Sequence, residues 1–150
     1  ISSACTNLEA LHIKGLFRLD NITLGSELAN LSRLTEVTIS GIHAFLDSGL
    51  ASFSLRCPEL KRIEMNYCQG LTGAGVTALV KNCPLLEEIH LKGTAVDEAA
   101  VIAIGENLRG NIQHVELQGC DPNEITDEAI SGLALHACNL TRLNVIGNYL

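Results

Sequence analysis

Tryptophan is absent, and aromatic residues make up only 3% of the 150 positions. A core built from this chain must be filled by aliphatic side chains, which suits a regular stack better than a deep globular centre. Cysteines in metal-binding pairs are also lacking: there are six cysteines but no Cys-x-x-Cys. That argues against a zinc site or a clustered disulfide framework. There is no basic run and no aromatic-interleaved basic patch, and the net charge is −7. Nucleic acid is therefore not expected as a partner. The longest apolar run, residues 99–104, is far too short to span a membrane. No signal peptide is visible, and the first residue is Ile1 rather than Met. With no polar cap at either end, the chain reads as a piece of a longer protein.

What the sequence does contain is repetition. An apolar triplet with the spacing 0, 3, 5 occurs six times: Leu8/Leu11/Ile13, Leu34/Val37/Ile39, Leu60/Ile63/Met65, Leu86/Ile89/Leu91, Ile112/Val115/Leu117 and Leu140/Leu143/Val145. The first four intervals are 26 residues and the last is 28. A fixed period in this range marks a solenoid or array. The last two triplet positions are two apart and face one side of a strand, near 11–13, 37–39, 63–65, 89–91, 115–117 and 143–145. Helical patterns follow. Val76, Leu79 and Val80 recur at i, i+3 and i+4, with Thr72 as the expected N-cap and Gly73 and Gly75 permitting a tight turn. Asp127 and Glu128 occupy the first turn of the fifth helix, where the dipole favours acids. Phe45 and Phe53 are expected in the core. The two extra residues of the fifth repeat fall in 119–124, where Pro122 and Asn123 predict a bulging turn.

The third repeat reads Cys57, Leu60, Ile63, Met65, Cys68, Leu71, Thr72, Gly75, Val76, Leu79; the fifth reads Ile112, Val115, Leu117, Cys120, Ile125, Thr126, Ala129, Ile130. These resemble the cysteine-containing leucine-rich repeats of F-box proteins and their relatives, and the resemblance spans the chain. Leu16 and Ile42 stand where the second cysteine would fall in repeats one and two, and Thr94 and Asn148 in repeats four and six. The resemblance implies a right-handed α/β solenoid of six repeats in one domain, 1–150, with a parallel sheet on the concave side of a horseshoe segment and helices on the convex side. It further implies a protein-interaction module, the substrate-recognition part of an F-box-type ubiquitin ligase receptor. A microbial or parasite protein engaging a host target and a structural subunit of a larger assembly stay open as alternatives. No enzymatic activity and no cofactor are expected.

Cysteine here is read as a small apolar residue suited to turns. That implies reduced thiols and an intracellular setting, cytoplasmic or nuclear. Three glycosylation sequons, at Asn21, Asn30 and Asn139, stand against it.

Outward strand positions form rows on the concave face. Ala10, Glu36, Arg62, Glu88, His114 and Arg142 make one row. His12, Thr38, Glu64, His90, Glu116 and Asn144 make the next. Lys14, Ser40, Asn66, Lys92, Gln118 and Ile146 make the third. Row neighbours lie about 4.8 Å apart and touch. The expected partner-binding residues are Arg62, Glu64, Tyr67, Glu88, His90, Lys92, His114, Glu116, Gln118 and Arg142. The partner is a protein. His90 lies between Glu64 and Glu116, which favours its protonated form. His90, His114, Glu64 and Glu116 are adequate metal ligands. An open sheet neither excludes water nor fixes their geometry, so no metal or catalytic site is assigned. Tyr67 replaces the Gly found at this place in the other five repeats: Gly15, Gly41, Gly93, Gly119 and Gly147. It is expected at the rim, as an interface anchor or packed over the Cys68 turn.

Overall fold

A computed structural model describes residues 4–16, 18, 20–120 and 125–146. Each repeat contributes a strand: Ala10–Lys14 (β1), Glu36–Ser40 (β2), Arg62–Glu64 (β3), Glu88–His90 (β4), His114–Glu116 (β5) and Arg142–Asn144 (β6). Between them lie Asn21–Leu28 (α1), Asp47–Ser54 (α2), Gly73–Asn82 (α3), Glu98–Leu108 (α4) and Asp127–His136 (α5). The strands form one parallel sheet in sequence order, β1 to β6. Each helix packs on the next. Every repeat thus buries its apolar face only against its neighbours, as a solenoid requires.

The register follows the sequence period. Ala10 pairs with Glu36, Glu36 with Arg62, Arg62 with Glu88 and Glu88 with His114, each 26 residues on. His114 pairs with Arg142, 28 residues on. The two extra residues are therefore absorbed outside the sheet. The expected bulge falls on residues 121–124, which lie outside the described residues.

Strands β3 to β6 pair one residue earlier than the sequence pattern places them, at 62–64 rather than 63–65 and likewise onward. The third apolar residue sits where the chain begins to turn. Its amide still holds the next repeat: Met65 N donates to His90 O, Leu91 N to Glu116 O and Leu117 N to Asn144 O, each at 2.8 Å.

The core is a continuous aliphatic layer in which Val37, Ile63, Ile89 and Val115 are fully buried. Phe45 and Phe53 join it, as expected. Four helices have side-chain N-caps. Asp20 accepts from Thr23 N, Thr72 from Ala74 N, Asp97 from Ala100 N and Thr126 from Ala129 N. These bonds satisfy amides that the first turn leaves without an intrahelical acceptor. The reason for glycine at the start of α3 is close approach. A Cβ at Gly73 would strike the Asp97 carboxylate, and one at Gly75 the Asp47 carboxylate. Asp47 uses that space to accept from Thr72 N at 2.8 Å and Thr72 Oγ1 at 2.6 Å, tying the start of α3 to α2.

All six cysteines are free thiols. Cys68 Sγ donates to Ile39 O and Cys120 Sγ to Leu91 O, both at 3.2 Å. Thr94 Oγ1, in the equivalent place, donates to Leu91 O at 2.6 Å. The thiols thus reach back 29 residues to the preceding repeat, whereas the hydroxyl closes its own turn three residues back. Cys57 and Cys83 close the helix ends by donating to Leu31 O and Cys57 O.

Candidate functional site on the concave sheet face

Regular pairing holds the three outward rows side by side, so their side chains meet across strands rather than along one strand. Arg62 lies at the centre. Its guanidinium meets Glu88 through Nη1, and its Nε stands 3.3 Å from Glu36 Oε1. Nη2 stands 4.0 Å from Glu64 Oε2. Nε is off the hydrogen-bonding angle and, among the described residues, is a buried side-chain nitrogen without a hydrogen-bond partner. Three carboxylates therefore share one arginine, and of the three Glu88 takes a hydrogen bond from it.

Glu64 is held from the other side. Lys14 Nζ reaches its Oε1 at 3.2 Å across two strands, with Asn66 Nδ2 at 3.1 Å and Ser40 Oγ at 3.3 Å. Burial pushes its pKa up, but the Lys14 and Ser40 hydrogen bonds and the Lys14 and His90 charges outweigh burial and hold it below the ordinary value.

His90 is only 8% exposed. Its Nδ1 lies 2.9 Å from Glu116 Oε2 and its Nε2 3.4 Å from Glu88 Oε2. The His114 ring stands edge-on to it, with centroids 4.5 Å apart and planes at 73°. Burial pushes the His114 pKa down, and the neighbouring His90 pushes it the same way, against the opposing pull of Glu88. Glu116 also accepts from Asn144 Nδ2 at 3.5 Å.

The expected contact residues do come together on one face, but they do not all offer surface. Arg62, Glu64, Glu88, Lys92, His114, Glu116 and Gln118 are half-buried, and Arg142 is exposed. His90 is enclosed by its neighbours and acts as a centre for them instead. Sequence reasoning left Glu36, Lys14 and Asn66 out of the site, although the first now pairs with Arg62 and the other two with Glu64. The row register was the signal that would have found them.

Tyr67 lies at the rim. Its φ is +59°, in the left-handed region, where Gly15, Gly41, Gly93 and Gly119 have φ between 65° and 71°. Gly147 lies outside the described residues. The ring is 50% exposed, with Lys92 Nζ 5.8 Å from its centroid. Its inner edge lies against Gly93, where an added Cβ would come within 2.8 Å of Tyr67 Cδ1. The ring thus packs forward over the next repeat and leaves its outer edge in solvent.

The sequons are engaged in structure. Asn21 Nδ2 donates to Ser48 Oγ while its Oδ1 accepts from Leu46 N. Asn30 Nδ2 donates to Ser26 O, and Asn139 Nδ2 to Gly110 O. In each case the nitrogen that a glycan would occupy already donates one hydrogen bond.

No family model matches the chain. The sequence is similar to two proteins named antagonist of mitotic exit network protein 1. That of Saccharomyces cerevisiae is 24% identical over 123 residues, covering 74% of this chain and 22% of the relative. That of Candida glabrata is 29% identical over 122 residues, covering 77% and 23%. The chain therefore spans less than a quarter of the length of these relatives. Among solved structures, a chain from the yeast Rad7 and Elc1 complex superposes with a TM-score of 0.67 at 17% identity, covering 85% of this chain and 31% of that one. The Caenorhabditis elegans tropomodulin C-terminal domain gives 0.61 at 15% identity, covering 92% and 87%. A Listeria monocytogenes internalin gives 0.55 at 15% identity, covering 96% and 43%. The fold is a leucine-rich-repeat solenoid. At these identities the structural likeness speaks for the fold alone. Among the described residues no helix is long and apolar enough to cross a membrane.

Proposed function

We propose that this chain is an intracellular protein-recognition module that binds its partner through the concave strand face and the Tyr67 rim. The observation that carries this reading is Tyr67. Its backbone is in a conformation that costs an L-residue about 1–2 kcal/mol, and glycine occupies the equivalent place in the flanking repeats. Half its ring faces solvent. An aromatic residue kept at a strained, partly exposed position beside a charged face is a fitting anchor for a partner. The face behind it carries both signs, with Arg62, Lys92 and Arg142 interleaved among Glu36, Glu64, Glu88 and Glu116. Such a surface suits a partner of complementary mixed charge.

The names of the similar proteins agree with recognition of other proteins: one is named an antagonist of the mitotic exit network and another was solved as a complex. The finer reading, by resemblance, is the substrate-recognition part of an F-box-type ubiquitin ligase receptor. The free thiols support an intracellular setting.

The test is a comparative pull-down with mass spectrometry, using the natural protein that contains this segment. Three baits are compared: unaltered, Tyr67→Gly, and Glu64→Ala/Glu116→Ala/Arg142→Ala. The expected result is a partner set kept by the first and lost by the other two, with circular dichroism showing all three folded. Ubiquitin-ligase subunits still held by the altered baits would support the receptor reading. Identical sets on all three baits would overturn recognition through this face.

A further inference from the structure

Glu88, His90 and His114 bring three potential metal-donor atoms to one point of the concave face, all within 4.8 Å of one another. From sequence, an open sheet fixed no ligand geometry. Here two features do. His90 is nine-tenths buried, so its ring is held by packing. Glu116 Oε2 lies 2.9 Å from its Nδ1, and Nε2 stands 3.4 Å from Glu88 Oε2, where a cation would take the place of the proton between them. A carboxylate behind a ligating histidine is the usual outer partner of a metal-bound imidazole.

We propose that Glu88, His90 and His114 bind one divalent cation of the zinc class, with Glu116 as the orienting residue behind His90. This is independent of the partner-binding reading. Two imidazoles and a carboxylate suit zinc, nickel, copper or cobalt better than magnesium or calcium, which take oxygen ligands. Zinc–nitrogen bonds of about 2.0–2.1 Å place tetrahedral ligands about 3.3–3.5 Å apart. Side-chain rotation that closes the donor atoms from separations of up to 4.8 Å by at most about 1.5 Å reaches that spacing. The Arg62–Glu88 pair is the competitor. It can yield, because Arg62 already has Glu36 at 3.3 Å and Glu64 at 4.0 Å to take up its charge. Glu64, which the sequence offered as a ligand, is occupied by Lys14, Ser40 and Asn66. Three protein ligands leave the remaining coordination position facing the concave surface, open to water or to a donor from a partner.

The test uses purified protein stripped with chelator, carrying Cys5→Ser/Cys138→Ser to remove the two exposed thiols. Zinc is titrated by calorimetry, and cobalt is followed by its visible absorption. The expected result is one zinc per chain, lost in His114→Asn, kept in His43→Asn and His136→Asn, and weakened about 10–100-fold in Glu116→Gln. Should His114→Asn unfold by circular dichroism, ring ¹H–¹⁵N spectra of the unaltered protein replace it, and zinc must then shift the His90 and His114 signals and spare His43. No binding at one equivalent, binding indifferent to His114→Asn, or cobalt bands of thiolate type would each overturn the proposal.

Discussion

Replacing Tyr67 by Gly and by Ala separates its backbone from its ring. Both changes remove the ring, and with it the contact on Gly93 and the approach of Lys92 at 5.8 Å. A cation–π pair this exposed contributes about 0.5–1 kcal/mol. Alanine keeps a Cβ in the left-handed conformation at φ +59°, so Tyr67→Ala loses the ring's contribution and regains nothing. Glycine relieves a backbone cost of about 1–2 kcal/mol, so Tyr67→Gly comes out near neutral or slightly stabilising. The Gly variant is therefore expected to exceed the Ala variant by about 1 kcal/mol. Gly119 supplies the mirror experiment, since its φ is +66° and an added Cβ would touch nothing within 4 Å. Gly119→Ala should lose about the same amount for backbone reasons alone. Gly93→Ala should lose more, because its Cβ also strikes the Tyr67 ring, and the excess should vanish in a Tyr67→Gly background. With no tryptophan in the chain, urea unfolding is followed by far-ultraviolet circular dichroism, and midpoints are compared at equal m-value. Equal stability of Tyr67→Ala and Tyr67→Gly would refute the strain argument and remove its support for a binding role.

Four further outcomes are expected. In a thiol-reagent assay on native protein, Cys5 and Cys138 react first. Cys57 lags by at least about a hundredfold near pH 8, because burial pushes its pKa from 9.0 to about 11. Burial likewise pushes Cys83 to about 12, and the stability tied to both protonated thiols is complete below pH 9 and is lost as pH rises through those values, which an alkaline urea series reads. Gly25→Ala should cost about 1–3 kcal/mol in urea unfolding, since its Cβ would lie 2.8 Å from the Gly49 backbone, whereas Gly132→Ala meets only Ile102 Cγ1 at 3.5 Å and should gain up to about 1 kcal/mol. Asp47→Ala should cost about 1–2 kcal/mol through its two bonds to Thr72, and hydrogen exchange should rise at the start of α3 before it rises in the sheet.

The fold was legible because one number fixed it. A 26-residue interval between like apolar triplets dictates which strand residue lies beside which, and the pairing of Arg62 with Glu88 or Ile89 with Val115 follows directly. The strand limits were misplaced by one residue because Met65, Leu91 and Leu117 look like strand residues in an apolar pattern. They are buried as strand residues would be, yet the backbone turns there. Thr72 was legible as a cap by type and position, while Thr126 was not marked as one. Asp20 and Asp97 were not marked, although they cap in the same way.

The site was less legible than the fold, for a reason that lies in side-chain length. A row tells which residues are adjacent along the sheet; it does not tell which adjacent pair closes. Glu64 and Glu116 flank His90 symmetrically in sequence, and by position either is able to hold it. The third row breaks the symmetry. Lys14 is long enough to cross two strands to Glu64, and Asn66 and Ser40 join it, so that carboxylate is committed elsewhere. Around Glu116 the third-row residues are Lys92, Gln118 and Ile146; Lys92 turns its Nζ to the Tyr67 ring, 5.8 Å from the centroid, and the other two supply no cation. Glu116 is left to His90, with Asn144 at 3.5 Å as its other contact. The histidine's orientation is thus decided by a lysine three strands away from it. The same competition separates the two readings of this face. Lys14→Met would release Glu64, and a Glu64 freed in this way becomes available to Arg62, loosening the hold of Arg62 on Glu88. If the face is a metal site, that variant should bind zinc more tightly than the parent. If it is only a ladder of ion pairs, Lys14→Met should leave zinc titration flat.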